Sequence, residues 1–296
     1  MAITIGAAFV QNVRFMLQKH LAEVRLSASG ATFARFFYSA PLVAAALMAW
    51  LWASGAPMPA LTAGFWAFAL AGGLAQIVAT VCVVAIFAHR NFAVGITFKK
   101  TEVLQTALIG FMVLGERVSP GALVAIGVGL AGLLLLSDPP RPEGPLLRRV
   151  FNRAAGLGIA SGVLFGVSSV GYRGATLELG LGSPFLAAAV TLACVTATQA
   201  MALGAWLAWR QPGEIGRVLA SWRVSSLVGL TSMLGSYGWF TAFALQTAAH
   251  VKALGQVELV FSFLAARFVF GQRTTRREAL GMVLLVVSIL LLVLVL

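Results

Sequence analysis

Glu102 and Glu258 each lie within an apolar run long enough to cross a bilayer. An ionisable group at hydrocarbon depth is costly unless it is paired or solvated, which makes each acid a functional candidate. Glu102 sits in FKKTEVLQTALIGFMVLGER, residues 98–117. Lys99, Glu102 and Thr106 follow helical spacing and share one face, with Gln105 beside them and Lys100 next in sequence. Glu258 sits in LGQVELVFSFLAARFVFGQR, residues 254–273, where Gly255, Glu258 and Ser262 share a face and Lys252 and Gln256 share a neighbouring one. Buried carboxylates of this kind can hold the cationic part of a solute, or take up and release a proton during a cycle. The plainer alternative is internal neutralisation, Glu102 by Lys99 and Glu258 by Lys252 or a backbone group.

Other polar groups complete the candidate set. Arg14, Arg35, Lys99 and Lys100 gather toward one membrane face, and Arg173, His250 and Lys252 toward the other. An electropositive vestibule attracts carboxylate or phosphate groups. For Arg35 and Arg173 the expectation is snorkelling to lipid headgroups. Gln76 and Thr80, one helical turn apart, correspond to Ser232 and Ser236, and Tyr237 follows with Trp239 and Phe240. Such a set suits a cavity wall for amphiphilic solutes.

The elements that position these residues follow from composition. The chain has 296 residues, 60% hydrophobic and 10% charged, against about a quarter charged in ordinary soluble domains. Apolar runs recur at roughly 1–18, 31–53, 63–88, 92–114, 119–137, 155–176, 184–209, 224–246, 250–270 and 276–296. The expected fold is an all-α polytopic membrane protein with ten transmembrane helices, multi-pass in the cell inner (plasma) membrane. The net charge of +12 is read as cytoplasmic loops and anionic headgroups, with the lipid bilayer as partner and no nucleic acid. Cys82 and Cys194 lie mid-helix and are read as core. No Walker A loop, zinc-ligand pair or Ser/His/Asp set appears, so no cofactor, metal site or ATP chemistry is expected.

A shift of 156 residues, which carries Glu102 onto Glu258, also carries Gly6 onto Gly162, Ser27 onto Ser183, Trp50 onto Trp206, Trp66 onto Trp222 and Gly115 onto Gly271. Residues 1–137 thus form a first five-helix repeat and 154–296 a second. The linker between them, 138–153, is rich in proline and arginine. An odd number of spans per repeat inverts the second relative to the first, the organisation through which secondary transporters build alternating access. Loops 1–2, 3–4, 5–6, 7–8 and 9–10 hold most Lys and Arg, which places them in the cytoplasm and both termini outside.

The order of three motifs, with the duplication, resembles the ten-helix, EamA-like branch of the drug/metabolite transporter superfamily. They are Gln11-Asn12-Val13-Arg14 on the first helix, Arg35 in GATFARFFYSAPL on the second, and Leu114-Gly115-Glu116-Arg117 ending the fourth. Val103 and Leu259 stand where that family often carries a proline. The resemblance implies export of metabolites, amino acids among them, with both termini inside, contrary to the charge bias.

The functional expectation is therefore a secondary transporter of small organic metabolites by alternating access. It would export amino acids or similar zwitterions, with protons as the candidate coupling ion. Lys99 and Lys100 favour a rival, anionic cargo, either phosphorylated or lipid-linked. An intramembrane enzyme using Glu and Lys as base and acid is the alternative of another class. The candidate residues are Glu102, Glu258, Lys99, Lys100, Gln76, Thr80, Gln105, Thr106, Ser232, Ser236, Tyr237, Gln256, Arg14 and Lys252.

Overall fold

Apolar runs broken by caps, glycines and prolines give a chain of helices. The computed structural model describes residues 1–87, 102–116, 119–137, 153–269, 271 and 276–295. Among the described residues every regular element is helical. The first half contains α1 (Ala2–Val24), α2 (Ala28–Ser54), α3 (Ala63–Phe87), α4 (Glu102–Leu114) and α5 (Pro120–Ser137). The second contains α6 (Arg153–Glu178), α7 (Pro184–Arg210), the short α8 (Glu214–Ala220) and α9 (Trp222–Leu245). It continues through α10 (Ala248–Leu254), a 3-10 turn (Gly255–Val257), α11 (Glu258–Phe268) and α12 (Arg276–Val295). Residues 92–101 of the fourth expected span lie outside the described residues.

Among the described residues, three stretches are long and apolar enough to cross a membrane by themselves: Ala28–Ser54, Ala63–Ile86 and Pro184–Arg210. Much of the remainder is diluted by polar groups that are nevertheless buried. On α1 these are Gln11, Asn12, Arg14, Gln18 and Lys19, and on α9 they are Ser225, Ser232, Ser236 and Thr241. Buried polar groups also lie on the three long apolar helices: Arg35 on α2, Thr80 on α3 and Gln199 on α7.

The repeat is visible in element boundaries. Ala28 and Pro184, then Ser54 and Arg210, open and close α2 and α7 at the 156-residue shift. Ser27 and Ser183 cap those helices, their hydroxyls accepting from Gly30 N at 3.0 Å and Leu186 N at 3.3 Å. Glu258 is the first residue of α11, and Glu102 is the first described residue of α4. Gly115 and Gly271 follow the ends of those helices with φ of 64° and 62°, a left-handed conformation that favours glycine. The ninth expected span is not one helix: the 3-10 turn interrupts it immediately before Glu258.

Packing joins the halves extensively. α3 lies along α6 and α1 along α9, so the first and third helices of each half exchange partners. α5 packs on α12, and α2 packs on both α7 and α9. α4 packs on α6, while α11 and the turn before it pack on α1. The α3–α6 crossing is close: a Cβ added to Gly171 would lie 2.9 Å from Gly72 Cα. A buried cluster around Tyr172, Phe240 and Phe243 fills the centre, with the Tyr172 and Phe240 rings stacked at 4.3 Å.

Candidate functional site

The polar interior begins with Arg35, 2% exposed on α2. Its Nε donates to Ser232 Oγ at 3.0 Å, its Nη1 to Thr80 Oγ1 at 3.1 Å and its Nη2 to Ser236 Oγ at 3.3 Å. One guanidinium thus gathers hydroxyls from α3 and α9, including the matched pair Ser232 and Ser236. The snorkelling expectation for Arg35 is overturned. The physical reason is packing: α3 and α9 lie against α2 and supply the hydroxyls that hold the guanidinium inside. Among the described residues no carboxylate lies within ion-pair distance of Arg35.

Gln76 belongs to a second bridge between the halves. Gln199 of α7 donates through Nε2 to Gly73 O at 2.9 Å, Gln76 Oε1 at 3.0 Å and the Tyr172 hydroxyl at 3.2 Å. Gln199 and Tyr172, absent from the sequence candidates, are buried. Each lies in an apolar helix with no counterpart in the other repeat to mark it, Gln199 falling on Val43 and Tyr172 on Met16.

Glu258 is fully buried, and its Oε1 accepts from Gln11 Nε2 at 3.0 Å. Asn12 Nδ2 donates to Ser262 Oγ, and that hydroxyl donates to Glu258 O at 2.8 Å. The Gln11-Asn12 pair of α1 therefore grips the first turn of α11. Arg14, one turn on from Gln11, is 2% exposed, and Arg35 and Glu258 are the charges that act on it. Its Nε and Nη2 find no hydrogen-bond partner among the described residues.

Glu102 and Lys252 make the other charged pair. Lys252 Nζ lies 3.6 Å from Glu102 Oε2, with both side chains almost wholly buried. The ammonium also faces three rings, at 4.9 Å from the centroid of Trp239 and 5.7 Å from those of Phe165 and Phe243. Lys252 thus lies beside Glu102; Lys99, considered from sequence as the partner of Glu102, lies outside the described residues. Just along α4, Gln105 Oε1 and Thr106 Oγ1 are buried without a partner among the described residues, as is Trp239 Nε1.

Four candidates stand apart. Lys99 and Lys100 lie outside the described residues. Tyr237 is 37% exposed and donates to Phe185 O at 3.4 Å, beside an apolar cleft of about 430 Å³ between α2, α7 and α9. Gln256 is buried against Gly129 of α5. Arg173 also departs from the snorkelling expectation. Its Nε donates to Glu116 Oε1 at 2.8 Å and its Nη1 to Phe243 O at 2.6 Å. Glu116 Oε2 in turn accepts from Ala248 N at 3.2 Å, at the start of α10. The acid of the Gly-Glu-Arg motif thereby ties the end of α4 to α6 and to the α9–α10 junction.

No family model and no curated protein matches the chain. A solved structure described only as a crystal structure of a protein is similar in fold, with a TM-score of 0.68 and 18% sequence identity, covering 98% of this chain and 99% of that chain.

Proposed function

We propose that the chain is a secondary transporter with ten membrane spans, arranged as two inverted five-helix repeats, that exports small zwitterionic metabolites such as amino acids by alternating access. The observation that carries this reading is Arg35: a buried guanidinium bonded to three hydroxyls from two helices, one in each half. A buried cation with only neutral partners is costly, and an arriving carboxylate would offset that cost with charge-assisted hydrogen bonds. Arg14, with two buried nitrogens unpartnered, stands ready for the same group.

Both acids are buried between the halves, Glu102 beside Lys252 of α10 and Glu258 beside Gln11 of α1, where a solute's ammonium would find a partner. Glu258, fully buried with its Oε1 accepting from Gln11 Nε2, is the candidate for proton coupling. The exchange of partners between α1–α9 and α3–α6 supports a two-fold relation of the halves, and the broken span before Glu258 matches the discontinuous helices at which transporters build midplane sites. The resemblance to the EamA-like branch points the same way.

An anionic cargo remains the second reading, favoured by one observation: among the described residues the buried charges are Arg14, Lys19, Arg35 and Lys252 against Glu102, Glu214 and Glu258. Thermal unfolding of the purified protein against a panel of amino acids and phosphorylated metabolites separates the two. Stabilisation by zwitterions supports the first reading, and stabilisation confined to phosphates replaces it with the second. Stabilisation by neither class removes both.

A further inference from the structure

The environment of Lys252 has the makings of a ligand site. One carboxylate and three aromatic faces surround its ammonium, drawn from α4, α6 and α9, so elements of both halves meet there. Acid plus aromatic walls is the chemistry by which proteins recognise alkylammonium ligands. Backbone has been kept out of the way to allow it: a Cβ on Gly255 would collide with the Trp239 ring. Trp239 Nε1 has no hydrogen-bond partner among the described residues, a polar atom on one of these walls that a plain lysine–glutamate pair does not use.

We propose that Glu102, Phe165, Trp239 and Phe243 form a binding subsite for a primary alkylammonium group, and that Lys252 is its tethered occupant. The lysine stem enters from α10, the segment that the 3-10 turn uncouples from α11, so the occupant can withdraw without displacing Glu258. That a transported amine takes the vacated place rests on the transport reading; the subsite itself rests on the geometry alone.

The test uses the purified full-length chain in detergent and ethylammonium chloride as probe, with potassium chloride at equal ionic strength as control. Lys252→Ala empties the subsite, and Lys252→Met keeps it filled with an uncharged stem. At about ten times its dissociation constant, ethylammonium should raise the unfolding midpoint of Lys252→Ala by about 3 °C. The wild type and Lys252→Met should not respond, and Glu102→Gln added to Lys252→Ala should abolish the response. If Lys252→Ala is recovered from membranes only when ethylammonium is present, that dependence is the same positive result. The proposal is overturned if ethylammonium fails to stabilise Lys252→Ala, if the response survives Glu102→Gln, or if Lys252→Ala is recovered under neither condition. None of these readouts involves transport, so a failed transport assay leaves them standing, and the converse holds.

Discussion

Replacing Arg35 with methionine separates a structural role from a binding role by opposite signs. The side chain is 2% exposed and holds three hydroxyls at 3.0, 3.1 and 3.3 Å. Three such bonds are worth about 1 kcal/mol each, net of water. Against them stands the desolvation of a guanidinium that has no carboxylate among the described residues, a penalty of about several kcal/mol. Met fills much of the same volume, and the freed hydroxyls of Thr80, Ser232 and Ser236 can turn to backbone carbonyls one turn back. Arg35→Met should therefore leave the unfolding midpoint unchanged or higher. Binding should go the other way. Losing a charge-assisted bond to a substrate carboxylate costs about 1.5–3 kcal/mol, or about 10- to 150-fold in affinity. Thermal unfolding in detergent and uptake by proteoliposomes read the two quantities on one preparation. Arg35→Lys, a point charge that cannot span three hydroxyls, should fall between. A large loss of stability in Arg35→Met, with unchanged half-saturation in the folded fraction, would refute the reasoning and make Arg35 a structural brace.

Further outcomes follow from other contacts. Glu258→Gln keeps the shape and the contact with Gln11 but cannot change charge, so uptake should lose its response to an imposed proton gradient; an undiminished response excludes Glu258 as the coupling group. Arg173→Gln and Glu116→Gln, measured singly and together, should show a coupling of about 1–3 kcal/mol in unfolding, because the pair is shielded and links α4 to α6. A coupling near zero would reduce it to an incidental contact. Gly171→Ala should destabilise by about 1–3 kcal/mol, since its methyl meets Gly72 Cα and Phe68 O at 2.9 Å; a neutral result would mean the α3–α6 crossing is looser than described.

Much of the architecture was legible because apolar period and duplication are strong signals. Ser27 and Ser183 cap equivalent helices and Gly115 and Gly271 take the same left-handed conformation, and each pair was visible at one shift of the sequence. The partners of the charges were not legible. Lys252 of α10 meets Glu102 of α4, 150 residues away in sequence, which no local spacing announces. Arg35 was misjudged because the hydroxyls that hold it come from α3 and α9, far from it along the chain. Gln199 and Tyr172 carry no mark in the repeat, because a hydrogen bond across two halves leaves no periodic trace. The aromatic walls around Lys252 come from helices far apart in sequence, and aromatic residues in apolar helices are mostly packing.

The central claim is that a zwitterion crosses the membrane by binding between the two halves, and counterflow tests it most directly. Proteoliposomes containing the purified protein would be loaded with unlabelled amino acid and diluted into a trace of the labelled form, with no ion gradient. The expected result is transient accumulation of label above equilibrium in the wild type, and its loss in Arg35→Met. Label entry no faster than into protein-free liposomes, across every zwitterion that stabilises the protein, would contradict the claim.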